Sequence, residues 1–297
     1  MAYLIACDDG HGMETAGKRT PALPYDIKFN GRIRKKGEVI HENEFNECIM
    51  KKFIEGCKRV GINTFEVAPT TKDTSLKARV NLANQKNAKL YISFHANALG
   101  SKWQTKAYGL FVIKHAVCSS TTDKLAQNVY KYLSTGVDWY SNGGTKYGVR
   151  KDQDISGCSL YVLKNTKMPA ILCEYGFMDN IEDVKRMCTD KFIKDCAENT
   201  LKGVCETLGV KYVAPVTSNS NPTNSSKWVN GDYNCKVKTT ANLNLRSGRG
   251  TSYDVIKTVP KGTILTLGYV LNGWGSTWDY KNNTSPTYFS CDYVEKV

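Results

Sequence analysis

The sequence predicts an α/β domain with a mostly parallel twisted sheet flanked by helices, followed by a small all-β barrel. In the first part of the chain, short apolar runs alternate with amphipathic segments, as in β-strand and helix units. Residues 214–226 are then rich in Ser, Asn and Pro, and have almost nothing to bury. Beyond them, short β-like runs are separated by Gly, Asn and Pro turns. We therefore predict an α/β domain at 1–213, a flexible linker at 214–226 and a barrel domain at 227–297.

Each element of the first domain is predicted from the period of its apolar residues. Five short apolar runs are typical of buried strands, and four longer segments have the apolar spacing of amphipathic helices. Strands and helices mostly alternate along the chain, which favours a parallel sheet with helical crossovers. The strands are expected at residues 3–7, 63–67, 90–94, 109–113 and 170–173, and the helices at residues 42–60, 76–86, 122–133 and 182–208.

The composition is that of a soluble globular protein with an excess of positive charge. The 297 residues carry a formal net charge of +13, so we expect attraction to polyanions such as a phosphate-rich wall polymer. The lysines are dispersed and form no basic helix, so nucleic-acid binding is not expected. No stretch is long enough to span a membrane. The apolar run at 3–7 is too short for a signal peptide, so we expect synthesis in the cytoplasm.

The eleven cysteines are an odd number and show no C-x-x-C spacing. Most of them lie inside apolar or helical patterns. This usage is typical of reduced, buried thiols in a reducing compartment rather than of a disulfide framework. A disulfide between Cys235 and Cys291 stays open as an alternative.

Three residues with metal or acid/base chemistry follow predicted strands. His11 lies between two glycines after the first strand, His95 follows the run at 90–94, and Glu174 follows the run at 170–173. The carboxyl ends of parallel strands meet at one edge of a sheet, so we expect these side chains to share one crevice. A hydrolytic zinc site uses three protein ligands and leaves a fourth position for water. The pattern therefore predicts a zinc hydrolase with His11 and His95 as ligands.

The third ligand is expected to be a carboxylate near the start of the helix at 42–60. Phe45, Ile49 and Phe53 mark the buried stripe of this helix. Glu42 precedes Phe45 by three residues and so lies on the same face. We therefore assign Glu42 as the third ligand.

Other residues near this helix start are alternatives. Glu44 and Glu47 are expected on the solvated face or as charge partners of the helix N-terminus. His41 is the main competitor of Glu42 for the metal. His115 has no motif around it and is expected to be an ordinary residue.

Glu174 is expected to act as the general base. It stands at the mouth of the predicted sheet after a buried strand, where partial burial raises the pKa of a carboxyl group. The alternative is a structural glutamate that caps the next helix or pairs with a lysine.

Residues 1 to about 210 resemble the zinc-dependent N-acetylmuramoyl-L-alanine amidases of the amidase-3 type. Five motifs carry the resemblance, and together they are specific. They are Gly10-His11-Gly12, Glu42-x-x-x-Asn46, Leu76-x-x-Arg79-x-x-x-Ala83-Asn84, Ser93-x-His95-Ala96-Asn97 and Glu174-x-Gly176-Phe177-x-x-Asn180.

The resemblance implies that His11, Glu42 and His95 hold Zn²⁺ and that Glu174 is catalytic. The implied reaction is hydrolysis of the amide between the lactyl group of N-acetylmuramic acid and L-alanine in bacterial peptidoglycan. Two departures from the family pattern are Asp9, where proline is common, and a long basic insertion at 18–36. The insertion is expected to form one wall of the substrate groove.

The last domain resembles bacterial SH3-like cell-wall-binding modules. The similarity covers nearly all of it, through Leu243-Asn244-Leu245-Arg246-Ser247-Gly248, Val259-x-Lys261-Gly262, Asn272-Gly273-Trp274 and Asp292-Tyr293. Such modules bind peptidoglycan or its attached polymers. Trp274, Trp278 and Tyr288 are equally compatible with a ligand pocket and with the core, so no binding residue is assigned.

The combination of a wall-binding module, reduced cysteines and no leader looks like a phage or prophage endolysin. By this resemblance, the protein accumulates in the host cytoplasm and reaches peptidoglycan after a holin opens the membrane. No obligatory protein partner is expected. Two other classes stay open: a metal-dependent hydrolase that cuts another bond of the stem peptide, and a catalytically silent wall-binding protein.

Overall fold

The computed structural model describes residues 3–137, 147–215, 228, 231–250, 253–271, 273–282 and 285–297. The chain divides into two compact units, Met1–Pro215 and Val216–Val297. Most of the predicted linker, residues 216–226, lies outside the described residues, and so does Asn272.

A six-stranded sheet forms the centre of the first unit, in the order β4-β1-β5-β8-β6-β7. Its strands are β1 (Leu4–Asp8), β4 (Asn63–Glu66), β5 (Leu90–Asn97), β6 (Phe111–Lys114), β7 (Gly148–Lys151) and β8 (Ala170–Phe177). All neighbours pair in parallel except β6 and β8, which are antiparallel. The α/β class with a central sheet flanked by helices is therefore confirmed. β7 is a strand that the apolar pattern did not predict.

Helices cover both faces of this sheet. They are α1 (Glu42–Arg59), α2 (Leu76–Gln85), α3 (Ser120–Gly136), α4 (Asp152–Ser156), α5 (Tyr161–Asn165), α6 (Ile181–Met187) and α7 (Asp190–Leu208). The larger core lies between the sheet and α1, α3 and α7, and a smaller one lies beneath α2 and α5.

The single helix predicted at 182–208 is wrong, because the structure divides it into α6 and α7. Thr189 has an extended backbone between them, and its side chain accepts a hydrogen bond from the N–H of Phe192 at 3.2 Å. This contact is an N-cap, which starts a new helix. Asn180 caps α6 in the same way.

Two strands that carry the site motifs are longer than predicted. β5 continues to Asn97 and β8 continues to Phe177. His95 and Glu174 therefore lie inside the last part of their strands rather than after them. Their side chains are held by the sheet itself, which fixes them more firmly than a loop would.

The basic insertion forms a hairpin of β2 (Ile27–Phe29) and β3 (Arg32–Arg34). Its two-residue turn is Asn30-Gly31, with φ of 47° and 79°. Asn-Gly is the sequence signal for such a turn, and the apolar pattern alone missed it. Phe29 is fully buried in the core, and Arg34 pairs with Glu44 of α1. The insertion is thus packed onto the domain.

The second unit is all-β, with a seven-stranded antiparallel sheet in the order β11-β10-β14-β13-β12-β9-β15. The strands are β9 (Gly231–Thr239), β10 (Leu243–Arg246), β11 (Val255–Val259), β12 (Ile264–Leu271), β13 (Trp274–Asn282), β14 (Ser285–Ser290) and β15 (Val294–Lys296). A short 3-10 turn at Cys291–Tyr293 precedes β15. Trp228, Leu245 and Phe289 are among the buried residues of its own hydrophobic core.

All eleven cysteines are free, including Cys235 and Cys291, so the disulfide left open between those two is not formed. Burial raises the pKa of several thiols, for example that of Cys57 to above its usual range. These thiols are therefore protonated and unreactive.

None of the helices in the described parts of the chain has the length and apolar character needed to cross a membrane.

Candidate active site

His11, Glu42 and His95 come together at the carboxyl ends of β1 and β5. One possible ligand atom from each residue lies within 4.8 Å of the others. The two imidazole rings meet edge to face, with centroids 5.0 Å apart and planes at 89°. The structure thus brings together the three residues expected to hold a metal.

His11 reaches the cluster through a tight turn after β1. Gly10 and His11 both have positive φ, of 47° and 60°. A Cβ atom on Gly10 would lie 2.4 Å from the His95 ring, so only glycine fits there. Burial lowers the pKa of His11 to about 4, and the positive charge of His95 acts in the same direction. His11 is therefore a neutral imidazole near pH 7, the form that binds metals.

Glu42 is the first residue of α1 and is 1 % exposed. Its Oε1 lies 2.9 Å from His95 Nδ1 and accepts a hydrogen bond from the N–H of Ala96 at 3.3 Å. Its Oε2 lies 3.5 Å from His11 Nε2 and 3.6 Å from Lys18 Nζ, and it is buried without a hydrogen bond.

The ionised form of Glu42 is favoured by this environment. Burial opposes ionisation, but the contact with His95 and the charges of His95, His11 and Lys18 outweigh it and lower the pKa to about 2. An ionised, buried carboxylate that lies between two imidazoles and keeps one oxygen free of hydrogen bonds is a donor set that fits Zn²⁺. The phase argument that selected Glu42 agrees with its burial beside Phe45 and Ile49.

Glu174 lies beside this cluster because β8 pairs with β5. In the register of the two strands, Glu174 is the direct partner of His95. Its Oε2 is buried without a hydrogen bond. Burial raises the pKa of Glu174 to about 7, with a further rise from the charge of Glu42 and an opposing effect from His95 and Lys18. A carboxyl group with this pKa can both accept and release a proton near neutrality.

A pocket of about 370 Å³ opens over these residues. Glu42, His95 and Glu174 contribute to its lining. Residues 16–18, which lead into the basic insertion, also line it, and so do residues 97–101, at and after the end of β5. Among the lining residues that the structure describes, Lys18 is the one lysine or arginine, and its side chain is 42 % exposed.

The alternatives near the start of α1 have other partners. His41 directly precedes α1 and is outside the cluster, and its N–H donates to Glu44 Oε2 at 2.9 Å. Glu44 also pairs with Arg34 and is half-buried rather than on a solvated face. Glu47 pairs with Lys51 on the same helix. His115 contacts the buried Asp152 at 2.7 Å and is not part of the cluster.

A buried polar network lies behind the cluster, and the sequence patterns gave no sign of it. Asp8, at the end of β1, pairs with Arg79 of α2. It also accepts hydrogen bonds from the hydroxyls of Tyr91 and Ser93, each at 2.7 Å. Burial opposes ionisation of Asp8, but the charge of Arg79 and these hydrogen bonds keep its pKa below the usual value. Both Arg79 and Ser93 belong to the motifs that carry the family resemblance.

Asp9, which stands where proline is common in the family, is also buried. Its Oδ2 accepts a hydrogen bond from Asn43 at 3.0 Å. Burial raises the pKa of Asp9 to about 7, although the Asn43 contact opposes this. The substitution therefore adds a polar contact between the β1 turn and α1 and removes no ligand.

The fold and the site define a class: α/β enzymes with a His-Glu-His cluster and a buried carboxylate at the strand ends of one sheet. The chain belongs to the amidase-3 family of N-acetylmuramoyl-L-alanine amidases, whose family model matches residues 5–206. It is a peptidoglycan amidase.

Curated relatives are similar over much of their length. An endolysin of Bacillus phage SPP1 is 30 % identical over 221 residues, which cover 71 % of this chain and 68 % of the relative. A germination-specific N-acetylmuramoyl-L-alanine amidase of Bacillus subtilis (strain 168) is 29 % identical over 213 residues, 68 % of this chain and 78 % of the relative.

A solved N-acetylmuramoyl-L-alanine amidase from Clostridium difficile 630 superimposes with a TM-score of 0.56 at 26 % identity, covering 71 % of this chain and 98 % of that one. The catalytic domain of an N-acetylmuramoyl-L-alanine amidase from Bacillus (Paenibacillus) polymyxa var. colistinus shares the fold. Its TM-score is 0.54 at 22 % identity, with 70 % and 99 % coverage.

Proposed function

We propose that this peptidoglycan amidase is an endolysin in which His11, Glu42 and His95 hold Zn²⁺ and Glu174 transfers protons. The observation that carries the proposal is the juxtaposition of two buried carboxylate oxygens that make no hydrogen bond, one on Glu42 and one on Glu174, beside two imidazoles. Buried carboxylate oxygens that lack hydrogen bonds are costly, so the two are maintained where a cation and a reacting group complete their contacts.

The substrate bond is the amide between the lactyl group of N-acetylmuramic acid and L-alanine. Zn²⁺ held by His11, Glu42 and His95 would supply a Lewis acid for the scissile carbonyl and would lower the pKa of a bound water to about 7. Glu174 accepts the proton of the attacking water and later delivers it to the departing amine of L-alanine. Burial, which raises the pKa of Glu174 above the usual value of a carboxyl group, suits both steps.

The other residues prepare the site for these steps. The neutral His11 and the ionised Glu42 are already in the protonation states that metal binding needs, so no proton has to be removed from either at neutral pH. The strands β5 and β8 hold His95 and Glu174 side by side. This fixed separation lowers the entropic cost of bringing water, base and carbonyl together.

We propose that the second unit is an SH3-like wall-binding domain. Its antiparallel sheet supports this assignment, as do aromatic side chains outside its core. Trp278 is 51 % exposed, and Trp274 and Tyr288 are half-buried and lie outside the buried core cluster. Arg249 lies over the ring of Tyr288 at 4.4 Å. Such an arginine-aromatic pair offers both a flat surface and a positive charge to a wall ligand.

The biological setting proposed is lysis of a bacterial wall by a phage or prophage protein. The similarity to an endolysin of Bacillus phage SPP1 supports this origin. The net charge of +13 supports retention on anionic wall polymers, because opposite charges raise the local concentration of the enzyme. Release to the wall after opening of the membrane by a holin is part of the proposal.

The test is product analysis on purified peptidoglycan. Wild-type protein and a chelator-treated sample are incubated with the wall, and new amino termini are labelled and identified by mass spectrometry. We expect new N-terminal L-alanine, lost after chelation and restored by zinc. A different new amine would show a peptidase acting on another bond of the stem, and no new amine from a protein that still binds walls would show a binding protein.

A further inference from the structure

Asp8 is the centre of the buried polar network behind the metal cluster, and both of its carboxylate oxygens are used. Oδ1 accepts from Arg79 and from the N–H of Gly10, the latter at 3.2 Å. Oδ2 accepts from Tyr91 and Ser93. The side chains of Asp8 and Arg79 are 2 % and 1 % exposed. An ion pair this deeply buried is costly unless its geometry is needed.

Ser93 links this carboxylate to a metal ligand. Its Oγ lies 2.7 Å from Asp8 Oδ2 and 3.1 Å from His95 Nε2. A carboxylate paired with arginine is ionised and can only accept hydrogen bonds, so the single hydroxyl proton of Ser93 is donated to Asp8. Towards His95, Ser93 Oγ can then act only as an acceptor. His95 Nε2 must therefore carry a proton.

We propose that the Asp8–Ser93 pair fixes His95 in the tautomer protonated on Nε2, so that Nδ1 is the nitrogen that binds the metal. This inference rests on the proposed function and deepens it, because it assigns Ser93 and Asp8 as positioning residues for the zinc ligand. A hydrogen bond on one imidazole nitrogen determines which nitrogen is available to a metal.

On the other side of the ring, the second nitrogen of His95 faces a carboxylate oxygen. His95 Nδ1 lies 2.9 Å from Glu42 Oε1. With the proton of the neutral ring on Nε2, a lone pair on Nδ1 faces an ionised carboxylate oxygen, and two acceptors at this distance repel each other. A cation shared by both atoms removes the repulsion. The pair is therefore built to hold a positive charge, either a proton or a metal ion.

The same network holds the second histidine. Arg79 Nη2 donates to the backbone oxygen of His11 at 2.8 Å, while its Nη1 pairs with Asp8. The unusual backbone of His11, with φ of 60°, is thereby fixed. One buried ion pair thus orients both histidine ligands, through the ring of His95 and through the main chain of His11.

The experiment compares two variants that each remove one hydroxyl from Asp8 Oδ2. Ser93→Ala removes the hydroxyl that also contacts His95, and Tyr91→Phe removes one that does not. Both side chains are fully buried and their hydroxyls lie 2.7 Å from Asp8, so the variants are matched. We expect Ser93→Ala to weaken zinc affinity about 10- to 100-fold, as for other partners of metal-binding histidines. Tyr91→Phe should change it by less than about 3-fold, and Ser93→Thr, which keeps the hydroxyl, should recover most of the affinity.

Zinc affinity is measured by competition with a chelating indicator, so amidase activity is not needed. A wild-type protein without zinc affinity would refute the metal site itself. A wild-type protein that binds zinc, with equal affinities in Ser93→Ala and Tyr91→Phe, would refute only the role of Ser93.

A second measurement uses the intact wild-type protein and does not depend on the folding of any variant. The chain has four histidines, so ¹⁵N-labelled histidine gives few ring signals. In the zinc-loaded protein, long-range ¹H–¹⁵N spectra report which ring nitrogen carries the proton. We expect His95 to be protonated on Nε2 and metal-bound through Nδ1. Metal binding through Nε2 would overturn the proposal.

Discussion

His95 and Glu174 are 79 residues apart in sequence but are direct partners in the register of β5 and β8. This pairing puts an expected metal ligand and the expected base on adjacent strands of one sheet. The position of the base relative to the metal cluster therefore depends on strand pairing and not on a loop.

Replacement of Glu174 by glutamine tests the assigned base. We expect Glu174→Gln to keep zinc binding and to lose hydrolysis about 10²- to 10⁴-fold, because an amide of the same shape cannot accept the proton of water. Zinc content and release of N-terminal L-alanine are measured on the same samples. Glu55→Gln is the control, since Glu55 is exposed on α1 and contacts only Lys52 among the described residues. Full hydrolysis by Glu174→Gln would mean that another group is the base.

A pair of histidine variants tests the metal ligands: His11 is assigned as a ligand, and His41 is the residue that competed with Glu42 for the third position. His11→Ala should lose zinc binding, because one of three ligands is removed. His41→Ala should retain it, because His41 lies outside the cluster at the start of α1. Metal content after dialysis against zinc decides between them. Loss of zinc in His41→Ala with a folded protein would restore His41 as a ligand.

The pH dependence of kcat/KM follows from the pKa of Glu174. Its carboxyl group must be ionised to act as a base, so activity falls as pH decreases through its pKa. Burial raises this pKa to about 7. A bound cation nearby favours the ionised form, so the acid limb of the zinc-loaded enzyme should lie below about 7.

A variant of Lys18 tests the direction in which the acid limb of the pH profile moves. The positive charge of Lys18 lowers the pKa of Glu174. Lys18→Met should therefore move the acid limb to higher pH, and Lys28→Met, an exposed lysine of the same insertion, should leave it in place. A shift of equal size in both variants would point to net charge rather than to the proximity of Lys18.

Local sequence patterns predicted the position of Glu42, because the chemistry of its side chain and the apolar period of α1 point to the same helix face. The apolar spacing of Phe45, Ile49 and Phe53 correctly placed Glu42 on the buried face of α1. The glycines on either side of His11 are typical of a tight turn with a close backbone approach, and in the structure Gly10 has positive φ and lies against the His95 ring.

Contacts between distant segments could not be predicted in this way. Asp8 and Arg79 are 71 residues apart, and nothing in the period of either segment shows that they pair. The antiparallel direction of β6 and the hydrogen bonds of Ser93 also arise only when the sheet is assembled. The division between α6 and α7 was missed for another reason: the apolar period continues across Thr189, and only its capping side chain marks the new helix.

Gly10 provides a test of the space around His95. Gly10→Ala should reduce zinc affinity strongly, because its new methyl group would lie 2.4 Å from the His95 ring and must displace it. Gly61→Ala is the matched control, since Gly61 also has positive φ, 76°, but a methyl group there would meet no described atom within 4 Å. Gly61→Ala should lower the free energy of unfolding only by the strain of a left-handed alanine, about 1–2 kcal/mol, and should bind zinc normally.

Thermal unfolding and zinc titration of the two variants separate strain from displacement of the ligand. Both substitutions impose a left-handed backbone on alanine and should lower the midpoint of unfolding, and Gly10→Ala should lower it further because of its clash with the His95 ring. The additional loss of zinc affinity in Gly10→Ala measures the contact with His95. If both variants bound zinc as tightly as the wild type, the ring would not need the position that the structure gives it, and the orientation of His95 by Ser93 would lose its functional basis.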